Sequence, residues 1–114
     1  MTTSPLHLTA DALTTAFNST DANAVIALFS RDAVIDDPST GHQFDGHDGI
    51  RDYVERYFKG YHTVTRVLSI ENIDETEARV RVDFKGDFGH EIGLLNIRLD
   101  AEGLICRIDA DLEH

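Results

Sequence analysis

Apolar positions in the first third of the chain recur at helical spacing. Leu6, Ala10, Leu13 and Phe17 stand four, three and four residues apart, one stripe of a helix that the Ser4-Pro5 pair opens with a polar cap and a first-turn proline. Asn18-Ser19-Thr20 breaks the stripe, and Asp21 is placed to cap a second helix with Val25, Leu28 and Phe29 on its apolar face. Ala33-Val34-Ile35 predicts a short strand, ended at Asp36-Asp37-Pro38 because proline forces the residue before it into an extended conformation. Residues 39–48 read as a loop rich in Gly, Asp, His and Ser. A third helix begins from Asp45-Gly46-His47-Asp48, with Ile50, Tyr53, Val54 and Tyr57 buried, Arg51, Asp52, Glu55 and Arg56 wet, and Gly60 as its stop.

Beyond Gly60 the period changes from 3.6 to 2. Residues 63–70 form a β-branched run, and Ala78, Val80, Val82 and Phe84 alternate with Arg79, Arg81, Asp83 and Lys85, which predicts a strand with an apolar inner and a charged outer face. Residues 92–99 make a further strand. Asp100-Ala101-Glu102-Gly103 turns the chain into a last strand, residues 104–110, with Leu104, Cys106, Ile108 and Ala110 sharing one face. Three helices, a short strand among them, and then four strands joined by short turns describe an α+β domain with its helices on one face of a curved antiparallel sheet.

Composition narrows the partners. A chain of 114 residues holds a single core, so we read one domain over residues 1–111 and take 112–114, Leu-Glu-His, as the start of an expression tail. Ten Lys and Arg against 21 Asp and Glu leave a formal charge of −11, which argues against nucleic acid and against anionic membrane surfaces. No leader-like or membrane-length apolar run precedes the first helix, and the expectation is a cytoplasmic protein. Without a secretion signal, the Asn18-Ser19-Thr20 sequon reads as a chance match. The single cysteine, Cys106, permits no disulfide and reads as a small buried hydrophobe.

The element order resembles the nuclear transport factor 2-like superfamily, whose cone-shaped fold encloses an apolar pocket. Asp21 opening the second helix, Ala33-Val34-Ile35-Asp36-Asp37-Pro38 and Gly46-His47-Asp48-Gly49-Ile50 resemble its ketosteroid isomerase and SnoaL-like branch. The resemblance implies a cystatin-like cone, mixed in its sheet, pairing as a homodimer through the sheet, with a small apolar molecule as ligand and no cofactor. It places the general base on Asp37, a carboxylate able to lift a proton beside a carbonyl. It lines the pocket with Leu13, Phe17, Tyr53, Tyr57, Val82, Phe84, Glu91, Leu95 and Ile108.

The chain departs from that pattern at both oxyanion donors. The tyrosine position falls on Leu13 and the protonated aspartate on Leu95, and loss of one such donor alone costs about 2.7 to 4 kcal/mol of transition-state stabilisation. A steroid isomerase in the strict sense is therefore not expected. Two readings stand: proton transfer of the isomerase or cyclase type by Asp37, with Tyr53, Tyr57 or Glu91 as polar partner, and a binding or interaction module that has lost its oxyanion hole.

Each candidate also has a plainer use. Asp37 before Pro38 suits an Asx turn, and Tyr53 and Tyr57 suit the core. His42, His47, His62 and His90 lack metal-ligand spacing, so no metal is expected. Arg79, Arg81 and Lys85 alternate away from the apolar face, against an Asp-Arg-Asp site of the limonene epoxide hydrolase type.

Overall fold

The computed structural model describes residues 5–112. The expected cap Ser4, and Glu113 and His114 of the expected tail, lie outside them. The elements run α1 (Pro5–Ser19), α2 (Ala22–Ile26), β1 (Phe29–Asp37), β2 (His42–Asp45), α3 (Gly46–Val54), a π-helical turn (Glu55–Lys59), β3 (Val64–Asn72), β4 (Glu77–Gly86), β5 (Gly89–Leu99) and β6 (Ile105–Leu112). Among the described residues they form one six-stranded mixed sheet ordered β2-β1-β6-β5-β4-β3, with β1 and β6 parallel and the other neighbours antiparallel. Helices α1 and α3 pack on it, so the fold is the α+β cone that the sequence predicts.

The stripe Leu6, Ala10, Leu13, Phe17 is buried along α1. At the end of that helix Asn18 donates from Nδ2 to the Thr65 carbonyl at 2.8 Å and accepts at Oδ1 from the Thr65 amide at 2.6 Å. The sequon asparagine is thus a clasp between α1 and β3. Asp21 caps α2 as expected, its Oδ1 accepting from the amides of Asn23 and Ala24. The helix is shorter than predicted. It ends at Ile26, and Phe29 opens β1 instead, because the Leu28 carbonyl accepts from Ile105 and Phe29 pairs with Ile105 across the parallel ladder. That ladder extends β1 to nine residues where the apolar run alone marks only three.

Two further differences come from pairing. The loop predicted over 39–48 contains β2, antiparallel to β1 with Asp37 opposite His42 and Ile35 opposite Phe44. Its only buried residue is Phe44, too little for a period to show. In β6 the expected face of Leu104, Cys106, Ile108 and Ala110 is interrupted by a bulge: Leu99 pairs with Ile105 while Arg98 pairs with Arg107, leaving Cys106 as the extra residue. Ile105, Ile108 and Ala110 are therefore buried, and Cys106 is only half-buried.

In β4, Ala78, Val80 and Val82 are buried and Arg79 and Arg81 exposed, as the alternation requires. Asp83, expected on the wet outer face, is also buried there, beneath His90 at 2.6 Å and Arg66 at 3.4 Å. Two bases on neighbouring strands cover the carboxylate.

Candidate functional site

The cavity opens where the sheet curls away from α3. It encloses about 260 Å³ between the β1–β2 turn, α3 with its π-helical extension, the β4–β5 hairpin and the end of β6. Asp37, Ser39 and Thr40 come from the turn; Tyr53, Tyr57, Phe58, Tyr61 and Thr63 from α3, its π-helical extension and the loop into β3; Phe84, Phe88 and Glu91 from the hairpin; Ala110, Asp111 and Leu112 from β6. Leu112, placed in the expected tail, pairs with Gly93 and completes β6.

Asp37 holds the Asx turn and also lines the cavity. Its Oδ1 accepts from the Ser39 amide at 3.0 Å and the Ser39 hydroxyl at 2.6 Å, the Asx turn that proline at 38 invites. Its Oδ2 accepts from the hydroxyl of Tyr53, a second lining residue, at 2.8 Å. The residue is only 7 % exposed, so a carboxylate that would be costly to bury alone is held by three donors. Burial, then the charge and hydrogen bond of Asp37, and then Tyr57, push the Tyr53 phenol well above its usual value. Tyr53 is therefore a neutral donor, and its single proton goes to Asp37.

The π-helical turn decides which aromatic rings reach the cavity. Gly60 donates to the carbonyl of Glu55 and Thr63 to that of Phe58, each five residues back. The wider turn brings both Tyr57 and Phe58 to the lining. Gly60 is needed for close approach rather than as an ordinary stop, since a Cβ there would lie 2.5 Å from the Arg56 carbonyl oxygen. Ring contacts run continuously from Tyr53 to Tyr57 at 5.5 Å, Tyr57 to Tyr61 at 6.1 Å and Tyr61 to Phe88 at 6.2 Å.

Of the residues expected around the pocket, Tyr53, Tyr57, Phe84 and Glu91 line this cavity with Asp37. Phe17, Leu95 and Ile108 instead border, with Tyr53 and Phe84, a neighbouring void of about 10 Å³, room for at most one water. Leu13 and Val82 line neither, being sealed in the core. For Val82 the cause is local: it pairs with Gly93, and the Phe84 ring lies so close over Gly93 that a Cβ there would meet it at 2.5 Å. Glu91, expected as a polar partner within the pocket, is exposed at the rim because it lies only two residues into β5 from the hairpin.

Phe58, Tyr61, Thr63, Phe88, Ala110 and Asp111 join the lining unanticipated. The signal available for Phe58 and Tyr61 was the aromatic density of 53–61; only the π turn reveals that neighbours in sequence face one space. The histidines do not converge: His47 contacts the Phe29 carbonyl, His62 meets Asp87 at 2.8 Å, His90 meets Asp83, and His42 is exposed. Among the described residues no group of three His, Cys, Asp or Glu is placed to hold a metal ion. None of the described helices is long and apolar enough to cross a membrane.

A curved mixed sheet closed by helices, with an aromatic cavity at its open end, is the architecture of the cystatin-like, nuclear transport factor 2-like cones. The chain belongs to the SnoaL-like domain family, whose model matches residues 10–104. Its fold is shared with a protein of unknown function with a cystatin-like fold from Methylobium petroleophilum (20 % identity, TM-score 0.86, 96 % of this chain and 76 % of that one). RV0760c from Mycobacterium tuberculosis, solved in complex with estradiol-17β-hemisuccinate, is similar at 16 % identity and TM-score 0.81 over 95 % of this chain and 93 % of that one. SalBIII, described as an epoxide hydrolase/cyclase-like enzyme in pyran ring formation in the polyether salinomycin, is similar at 15 % identity and TM-score 0.82 over 94 % and 89 %. No curated protein sequence matches the chain.

Proposed function

We propose that the protein binds a small, ring-bearing carbonyl compound in the cavity and uses Asp37 as a general base for proton transfer of the isomerase or cyclase type. The observation that carries this is the hydrogen bond from Tyr53 to Oδ2 of Asp37, both residues lining the cavity. A ligand oxygen that takes the Tyr53 proton releases one donor from Asp37, so binding and exposure of the base are coupled through one hydroxyl. Tyr57, half-buried on the lining, makes no hydrogen bond through its hydroxyl among the described residues and supplies a second donor to the developing oxyanion. This pair stands in for the donors missing at Leu13 and Leu95, both enclosed leucines.

The ligand-bound neighbour RV0760c and the cyclase-like SalBIII support small-molecule use of such a cone. Binding without turnover is the second reading, favoured by the apolar residues at Leu13 and Leu95. A thermal-shift screen of aromatic and alicyclic ketones, followed by absorbance assays of each hit on the wild type and on Asp37→Asn, separates the two. Turnover lost in Asp37→Asn supports catalysis; equal binding by both proteins with no turnover in either leaves the binding module.

A further inference from the structure

We infer that the cavity selects a cationic ligand, a protonated amine borne on a small ring system, with its ammonium group seated between the Glu91 carboxylate and the rim aromatics. This deepens the proposed function and rests on its premise that the cavity takes a ring compound. The lining is of one sign. Among the described residues its ionisable groups are the carboxylates of Asp37, Glu91 and Asp111 and three tyrosines, with no lysine, arginine or histidine. Of the bases on the neighbouring strands, His90 and Arg66 are engaged on Asp83 and Lys85 is exposed beside His90 on the ladder, while His62 is held by Asp87.

Within the lining, the three carboxylates differ in what they have left to offer. Asp37 already accepts from three donors. Asp111 accepts at Oδ1 from the Leu112 amide. The Glu91 side chain makes no hydrogen bond or ion pair with any described residue, and it stands directly across the ladder from Phe84 on the face that carries the cavity. Aromatic side chains of Tyr57, Tyr61, Phe84 and Phe88 line the same cavity, and the negative faces of such rings attract an ammonium ion already drawn by a carboxylate. The net charge of −11 adds a long-range field of the same sign.

Three probes of one ring size test this: naphthylmethylammonium, naphthylmethanol and naphthoate, titrated calorimetrically at neutral pH and low salt. The expected order is amine, alcohol, carboxylate, with the amine about ten-fold tighter than the alcohol, as one cation–π contact reinforced by a rim charge gives. In Glu91→Gln, shown folded by its melting curve, the ratio of amine to alcohol affinity falls several-fold. An alcohol that binds as tightly as the amine overturns the inference while leaving ring binding intact. An amine preference that survives Glu91→Gln but vanishes in Asp37→Asn overturns the seat at the rim. Failure of all three probes to bind overturns the ring-binding premise as well.

Discussion

Asp37 ends a strand, anchors a turn and faces a cavity, and each of its oxygens has a different duty. Oδ1 belongs to the backbone turn through Ser39, and Oδ2 accepts from Tyr53, which lines the cavity beside it. Replacing Tyr53 by Phe removes a donor from a buried carboxylate, which we expect to cost about 1.5 to 3 kcal/mol in denaturant unfolding. The same substitution has a pH signature. The folded-state phenol lies above its unfolded value, so its stabilising contribution is complete below about pH 10 and is lost as the pH rises toward the folded value. Stability of the wild type should therefore fall in alkali more steeply than that of Tyr53→Phe, as parallel denaturant titrations across that range would show. Sequence marked both residues, Asp37 from its place before Pro38 and Tyr53 from its helical stripe. It could not show that they touch, because sixteen residues and a turn of β-ladder separate them.

Among the elements, those with a clear period were legible and those set by pairing were not. The α1 stripe and the β4 alternation appear where the apolar pattern places them. The strand β2, the length of β1 and the bulge at Cys106 depend on which strand lies alongside, and one inserted residue is enough to swap the faces of a strand. The π-helical turn belongs to the same class, since its five-residue hydrogen bonds leave no mark in the spacing of apolar residues. Gly60 is its requirement. Gly60→Ala forces a Cβ against the Arg56 carbonyl, and we expect a loss of about 1 to 3 kcal/mol together with weaker ligand binding, because Tyr57 and Phe58 must shift with the turn. Thermal denaturation and a ligand titration of the variant check both effects.

At the scale of the whole molecule, the sheet and helices make two adjoining spaces, a small void in the core and an open cavity, with Tyr53, Phe58 and Phe84 bordering both. The resemblance read from sequence found the fold but assigned core and cavity residues to one set, because an inward-facing position is the same in sequence whether its side chain meets another or meets space. Leu13 tests that boundary. Leu13→Ala should lower stability by about 2 to 5 kcal/mol, as loss of an enclosed leucine does, yet leave the affinity for a ring ligand unchanged, since Leu13 borders neither space. Comparing denaturant midpoints with calorimetric affinities would reveal any departure.

On the proposed function, a carbonyl compound held in the cavity against Asp37 gives up the proton beside its carbonyl to the carboxylate. Hydrogen–deuterium exchange at that position of a cavity-bound cyclic ketone, followed by proton NMR in deuterium oxide, measures the step without requiring knowledge of the natural product. Exchange should be faster with the wild type than in buffer, and slower by at least about 100-fold with Asp37→Asn, the usual range for loss of a positioned base. Equal exchange by the two proteins, with the ketone bound by both, would contradict a base at Asp37.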